Sequence, residues 1–519
     1  MASTFFGLTI AYSGLQAANT SLTITGHNVS NINTKGYTKQ QAGTQAADAL
    51  RTHTTYGVIG SGVVVTEISQ IRDSYYDVKY RNNMANYGQY SVKESYMGQI
   101  EDYLDEFTLN GYSQEYKNFF SAVNQLTITP GDTSAKNQLI NNAKSLADYF
   151  NTLTTNLRNV QADANNEIKD AVQQINSYAK NIAALNRQIN QIEANYGNAN
   201  DLRDKRNAMI DELSEIVNLE TSEEDMGNNV SNFSVRINGQ TLVSSYSYNT
   251  LETVARTDKK NYSDAEGLYD VQWNSGQKFD MYSTSLSGHL KGLIDIRDGN
   301  NGEHENIETD DNGNNVTDSD GNLVLTTAPA ADKTVSYKGV PYYQAQLNEF
   351  AKIFSDAVNK IMKSGYTSDG SSKGISLFVT QPNTTVMSAG NITVNPELLK
   401  NADLLAIKKE QNDGESDAKI MEELNKLQSE KIFAGGTGSY FLESIVSDMS
   451  IDSQKAVNLY KNYTDLKTSI HNQRLSIMGV DTDEEAMDMI KYQQAYNLNS
   501  KMMSVMNQIY DKLINQTGI

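Results

Sequence analysis

The sequence predicts a mainly α-helical protein with a smaller β part. It reads as an elongated multidomain rod, with N- and C-terminal helices paired as a coiled coil, a long helical bundle and a short antiparallel β region. Three observations predict this. Apolar residues recur at every seventh position near both ends of the chain, and a longer heptad run crosses 134–196. Only 5 prolines interrupt 519 residues, which favours long unbroken helices. One region, about 220–290, instead alternates and carries turn dipeptides.

At the N-terminal end, from Thr4 to Tyr37, Leu8, Leu15, Leu22 and Val29 are seven apart, and Ala11, Ala18, Thr25 and Ile32 follow each by three. This is a thin seam, weakened by Gly14, Thr25 and Gly26, so the helix needs something to lie against. The matching partner is at the other end. Met489, Tyr496, Met503 and Tyr510 are again seven apart, and Tyr492, Asn499, Met506 and Leu513 follow by three, with Asn499 the polar break. Gly479 interrupts the pattern above, and Thr482-Asp-Glu-Glu485 has capping-box spacing. The two ends are therefore expected to meet, with everything from Tyr37 to Asp481 one excursion between them. Two amphipathic helices packing separately fit the same periodicity, because heptads of this length also occur in plain bundles.

Residues 38–70 read as extended, with Tyr56 to Val65 β-branched and punctuated by Gly57, Gly60 and Gly62. That cluster lacks the Gly-Lys-Ser/Thr of a phosphate loop and precedes a strand-like run, so it reads as a hairpin turn. Ile71 to Leu126 is helical and tyrosine-rich, and Thr129-Pro-Gly-Asp132 turns the chain. Leu139, Leu146, Leu153 and Val160 then share one register; Ile168, Ile175, Ile182, Ile189 and Tyr196 share another, with Ala171, Tyr178, Leu185 and Ile192 three beyond the isoleucines. Val160, Ala164 and Ile168 join them in a stutter that relaxes the supercoil. Tyr196-Gly197 ends this run, and Leu202, Met209, Leu213 and Ile216 mark a shorter helix returning beside it. Short strands are expected at 233–237 and 269–273, and helices at 289–296 and 343–361. A strand is expected at 392–394, and helices then run to the end.

The formal net charge of -20 argues against a nucleic acid backbone and against an anionic membrane surface as partner. There is no cysteine, hence no thiolate nucleophile or disulfide, and no run of about 18 apolar residues to span a membrane. The first residues lack the basic and apolar regions of a secretory signal, so if the protein leaves the cell it is expected to do so by another route. The histidines, at 27, 53, 289, 304 and 471, share no ligand spacing. Glu308-x-Asp310-x-Asn312-Gly313 partly matches a calcium loop, but Ser319 stands where a bidentate carboxylate is needed, and a solvated acidic loop is the expectation. Asp481, Asp483, Glu484 and Glu485 read as charges complementing a helix N-terminus. No catalytic, metal or cofactor residue is assigned, and no enzyme is expected. The 30 tyrosines, against 13 phenylalanines, read as amphipathic side chains of helices that touch neighbours.

Ser13-Gly-Leu-Gln-Ala-Ala and Gly26-His-Asn-Val-Ser-Asn-Ile-Asn-Thr-Lys-Gly-Tyr-Thr-Lys-Gln40 resemble the N-terminal signature of the flagellar axial proteins, the rod, hook and hook-associated proteins. Gly479-Val-Asp-Thr-Asp-Glu-Glu-Ala through Leu513-Ile-Asn is similar to their C-terminal signature. Ile175 to Ile189, Asn200 to Leu213 and Ser287 to Arg297 are similar to the junction-forming hook-associated branch. The resemblance implies a structural, non-catalytic subunit of the layer between hook and filament. It would be exported unfolded through the flagellar type III apparatus to an extracellular position. The implied partners are further copies in a ring, the hook protein, the third hook-associated protein and a cytoplasmic export chaperone. It implies that Leu8, Leu15, Leu22, Val29, Met489, Tyr496, Met503, Met506, Tyr510 and Leu513 serve helix pairing and assembly, and that Asn28, Asn31, Gly36 and Tyr37 form a signature turn. The expected domains are 1–60 with 480–519 as the axial core, 61–297 with 341–479 as the helical bundle carrying the β region, and 298–340 as an exposed acidic insert. After Phe378 only about twenty residues precede the next helix, so the β-rich outer domain of many members is expected to be reduced. Two alternatives remain: another axial protein (the third hook-associated protein, a hook or a filament subunit), or an exported enzyme with a hydrolase inserted at 220–400, for which no nucleophile or metal spacing is found.

Overall fold

The computed structural model describes residues 6–51, 58–109, 112–331, 334–414 and 416–516. Thr4, His53, Tyr56 and Gly57, used in the sequence reading, lie outside them. The helices are α1 (Phe6–Ser30), α2 (Ser74–Leu109), α3 (Tyr112–Ile128), α4 (Thr133–Glu193), α5 (Asn200–Ile216), α6 (His289–Asp298), α7 (Val340–Ser364), α8 (Pro396–Lys400), α9 (Lys419–Leu427), α10 (Gly438–Met478) and α11 (Thr482–Asn515). The strands form small antiparallel sheets, so the mainly α class with a lesser β part holds. The chain divides into two compact units. The first combines 1–85, 175–250 and 464–519; the second combines 86–174 and 251–463.

The heptads of α4 are realised as buried residues. Leu139, Leu146, Leu153 and Val160, then Ile168, Ile175, Ile182 and Ile189, are all buried, and Ala164 at the stutter is fully enclosed. With 61 residues the helix is about 90 Å long at ~1.5 Å per residue. Ala179 and Asn186 complete the inner face, while Tyr178 and Leu185 are half-buried and Ile192 is exposed.

In the first unit a four-stranded sheet, Glu220–Asp225, Ser231–Ile237, Gln240–Ser244 and Ser247–Tyr248, buries Phe233, Val235, Ile237, Leu242 and Val243. The α4 amides fasten it: Asn186 Nδ2 donates to Ser245 O at 2.9 Å, and Asn190 Nδ2 to Ser231 O at 2.7 Å. A hairpin, Gln40–Ala46 with Val63–Gln70, starts in register at Gln40 opposite Gln70.

The second unit has an aromatic core. Phe350 stacks on Phe433 at 4.9 Å and lies 5.4 Å from Phe150, and Phe354 lies 5.6 Å from Phe119 and 5.8 Å from Phe378. Such pairs add to plain burial because edge and face carry opposite partial charge. The segment 298–340 departs from the expected exposed insert. Its strand Glu303–Ile307 pairs with Leu325–Pro329, and Glu305, Val324, Leu325 and Val335 are buried. The Asp, Asn and Gly residues are concentrated in tight turns, where the Asp310 carboxylate accepts the N–H groups of Asn312 and Asn314, so the calcium-like spacing serves a turn. Asp320 ties the next turn to α7 and the following loop through Asn359 Nδ2 (3.2 Å), Ser376 Oγ (2.9 Å) and the Lys363 ammonium.

That tie leaves Asp356 of α7 beside Asp318 and Asp320. Burial, then these two carboxylates, push its pKa up to about 6 against the pull of Lys352 and Lys363. A raised carboxyl costs stability above its folded pKa and costs nothing once both states are protonated. Asp356→Asn should therefore raise the melting temperature of the second unit at pH 8 by ~2 °C, a modest shift because the group is only partly buried, and leave it unchanged near pH 4. Thermal melts at the two pH values check this; equal shifts at both would contradict it.

Candidate functional site

The site is a knot that joins the two ends of the chain within the first unit. α1 and α11 pack antiparallel. A methyl group added at Gly7 would lie 2.7 Å from Met506 Cε, and one at Gly14 2.6 Å from Asn499 Oδ1. Ser21 and Tyr492 line one crevice, and Asn28 hydrogen-bonds Glu485. Each step of seven along α1 is thus a step of seven back along α11. The small residues let the two helices approach closely, and a side chain added at Gly7 or Gly14 would force the Met506 or Asn499 side chain to shift.

The knot is tied where α1 ends. The Asn28 side chain faces backbone like a strand: its Nδ2 donates to Gln40 O at 3.0 Å, and its Oδ1 accepts Gln40 N–H at 3.0 Å. The same Oδ1 accepts the Tyr37 hydroxyl at 2.8 Å, and the same Nδ2 reaches Glu485 Oε1 at 3.1 Å, 457 residues away. Lys39 donates to Glu484 Oε2 at 2.7 Å, lies 3.3 Å from Glu485 Oε1, and gives its backbone N–H to Met478 O. Thr38 binds the Asp204 carboxylate of α5 twice, at 2.9 Å through N–H and 2.7 Å through its hydroxyl. Gln40 Nε2 donates to Asp201 Oδ1 at 2.8 Å. Gly36 turns the chain with φ +79 against Ala208, a conformation that needs no Cβ and a contact that leaves little room for one.

Alternating charges continue from the knot: Arg72 bridges Asp204 and Asp77, Arg474 bridges Asp77 and Asp211, and Arg81 holds Asp211 at 2.7 Å. Burial pulls the Lys39 ammonium down, but the Glu484 and Glu485 carboxylates outweigh it and the net shift is upward. Burial raises Asp204 despite the two Thr38 hydrogen bonds, and burial with the nearby Asp201 and Asp204 carboxylates raises the Tyr37 hydroxyl. Among the described residues no group of three or more His, Cys, Asp or Glu is arranged to hold a metal ion, and no helix is long and apolar enough to cross a membrane.

The sequence-derived residues are placed as follows. Asn28 is at the centre of the knot, with Tyr37 on it and Gly36 at its turn; Asn31 donates its Nδ2 to His27 O. On α11, Tyr496, Met503 and Met506 are half-buried and Tyr510 is buried, while Met489 and Leu513 are exposed. On α1, Leu8, Leu15 and Leu22 are half-buried and Val29 is exposed. The buried line there is Ala11, Ala18, Ser21, Thr25 and Asn28, so the tightest seam runs beside the leucines rather than through them. The helix cap differs too: Asp481, not Thr482, accepts the N–H groups of Asp483 and Glu484. Thr38, Lys39, Gln40, Asp201, Asp204, Glu484 and Glu485 were not singled out as knot residues. Thr38 to Gln40 lie inside the N-terminal signature stretch, Asp201 and Asp204 inside the 200–213 stretch, and Glu484 and Glu485 read from sequence as charges at a helix N-terminus.

The two ends laced together here are the stretches that resemble the signatures of flagellar axial proteins. The sequence profile of the flagellar hook-associated protein FlgK helical domain matches residues 97–378, more than half of the chain, and that of the flagellar basal body rod FlgEFG protein C-terminal segment matches 471–516. The chain belongs to the flagellar hook-associated protein FlgK family. It is 27% identical to flagellar hook-associated protein 1 of Bacillus subtilis, across 100% of this chain and 99% of that one, and 26% identical to its Escherichia coli namesake, across 97% and 98%. The fold is also that of the flagellar hook junction protein FlgK from Burkholderia pseudomallei, with a TM-score of 0.60 at 14% identity over 77% of this chain and 100% of that one.

Proposed function

We infer that this chain is a structural subunit of the bacterial flagellum that forms the junction layer between hook and filament by self-association. The observation that carries the reading is the knot: α1 and α11 lie side by side, with Asn28 on Glu485. Full-length likeness to the hook-associated relatives supports the same reading. Residues 1–60 with 480–519 would supply the axial core, and 61–297 with 341–479 the helical bundle. The subunit acts by shape and contact, with no catalytic step, and copies of it sit in a ring between the hook protein and the third hook-associated protein. It travels unfolded through the flagellar type III channel, with a cytoplasmic chaperone on its C-terminal region beforehand. α11 suits such a chaperone, since it displays Met487, Ile490, Leu498, Met502, Val505 and Ile509 to solvent.

Removing the gene from a motile strain should leave hooks in place, abolish filaments and release filament subunits into the medium. Electron microscopy of the cell surface and an assay of the medium read both outcomes. A deletion strain without hooks, or one that still bears filaments, would overturn the assignment.

A further inference from the structure

The hydrogen bonds of the knot fix the proton positions on a histidine that the junction reading does not use. Gln40 offers Asn28 a backbone N–H and a backbone C=O, so the Asn28 amide can be oriented only with Oδ1 on the N–H and Nδ2 on the C=O. Asn28 Oδ1 therefore takes the single proton of the Tyr37 hydroxyl, at 2.8 Å. The Tyr37 oxygen is left as an acceptor, and His27 Nδ1 stands 3.0 Å from it, so Nδ1 must carry the hydrogen. In the neutral ring this leaves Nε2 as a bare lone pair, and Nε2 lies 3.8 Å from Asp201 Oδ2. Asp201 is held there by Gln40 through its other oxygen.

We propose that His27 and Asp201 form a proton-operated clasp between the end of α1 and the start of α5. With Nε2 bare, a lone pair faces a carboxylate; with Nε2 protonated, the same geometry becomes an ion pair between α1 and α5. The surroundings leave Asp201 as its counter-charge. α1 itself carries no other ionisable side chain but Tyr12. On the following turn Lys35 is paired with Glu212 at 2.6 Å, and Tyr37 is engaged as described. On α5, Asp204 is taken by Thr38, and Lys205 lines the same cavity. At the start of α11, Glu485 is held by Asn28 and Lys39. The clasp rests on the knot geometry alone and stands or falls apart from the junction assignment.

Two measurements on the full-length protein test it. Imidazole nitrogen shifts of ¹⁵N-histidine-labelled protein at pH 8 should report the Nδ1–H form for His27; an Nε2–H form overturns the relay. Hydrogen exchange of peptides covering 24–37, corrected for intrinsic rates, should be slower at pH 6 than at pH 8 by about threefold, the range open to a half-exposed ion pair. In Asp201→Asn that difference should vanish, while peptides of the second unit behave as in the parent. An undiminished pH effect in Asp201→Asn overturns the clasp. If that variant fails to fold, the parent still decides: no slowing of exchange over 24–37 at pH 6 relative to pH 8 overturns the clasp.

Discussion

Asn28→Ala should release the two ends of the chain from each other while the second unit stays folded. Four hydrogen bonds meet at this amide. Its truncation strips partners from the Gln40 N–H, the Gln40 C=O, the Tyr37 hydroxyl and one oxygen of Glu485, and both Asn28 and Glu485 are about 1% exposed. Each buried polar group left unpaired costs about 1–3 kcal/mol, part of which water and Lys39 would recover. A net local loss of about 3 kcal/mol is expected, which is about a hundredfold in exchange rate. Hydrogen exchange of peptides covering 21–42 and 481–492 should show it, with no change over 290–298. A strain carrying the variant should shed filament subunits as the deletion does. Unaltered protection at both segments would mean that the α1–α11 packing, not the knot, holds the ends.

The sequence disclosed what is periodic and local. The α4 registers were readable because each buried side chain is large, apolar and seven residues from the next. The pairing of the ends was readable as two matching heptads, but its phase was not. Gly7, Ala11, Gly14 and Ala18 make the close approach because they are small, and small residues carry almost no hydropathy signal, so the leucines beside them drew the seam. Asn28 and Glu485 stood in plain view, yet nothing local encodes a bond across 457 residues. Within 298–340 the acidic turns masked Val324, Leu325 and Val335, since composition averages over a segment in which turns and buried strands alternate. The stretch ending at Arg297 carried a family likeness without any hint that its arginine would be fully buried.

That arginine is where the largest loss of stability is expected. Arg297→Ala should destabilise the second unit by ~4 kcal/mol, because it removes one partner of a buried charge set and leaves the rest enclosed. Arg297 is 0% exposed. Its guanidinium holds Asp298 by two bonds, at 3.0 and 2.6 Å, and donates to Asn165 Oδ1 at 2.9 Å and Tyr269 O at 2.7 Å, tying α6 to α4 and to the strand Tyr269–Trp273. Arg256 grips the same carboxylate at 2.8 Å from the other side. Burial alone would raise Asp298, but Arg297 and then Arg256 hold it far below the usual carboxylate range. A depressed carboxyl contributes stability that is complete above its unfolded pKa near 4 and is lost as pH falls below that. In the variant this acid-sensitive share should shrink, so its melting temperature should fall less steeply than the parent's between pH 4 and pH 2. At pH 7 the melting temperature itself should drop by about 10 °C. Arg297→Lys should recover little of the loss, since an ammonium cannot reach Asp298, Asn165 and the Tyr269 carbonyl from one planar fork. A drop within ~2 °C, or full rescue by lysine, would show that Arg256 alone suffices to hold Asp298 and that the fork is not what joins these three elements.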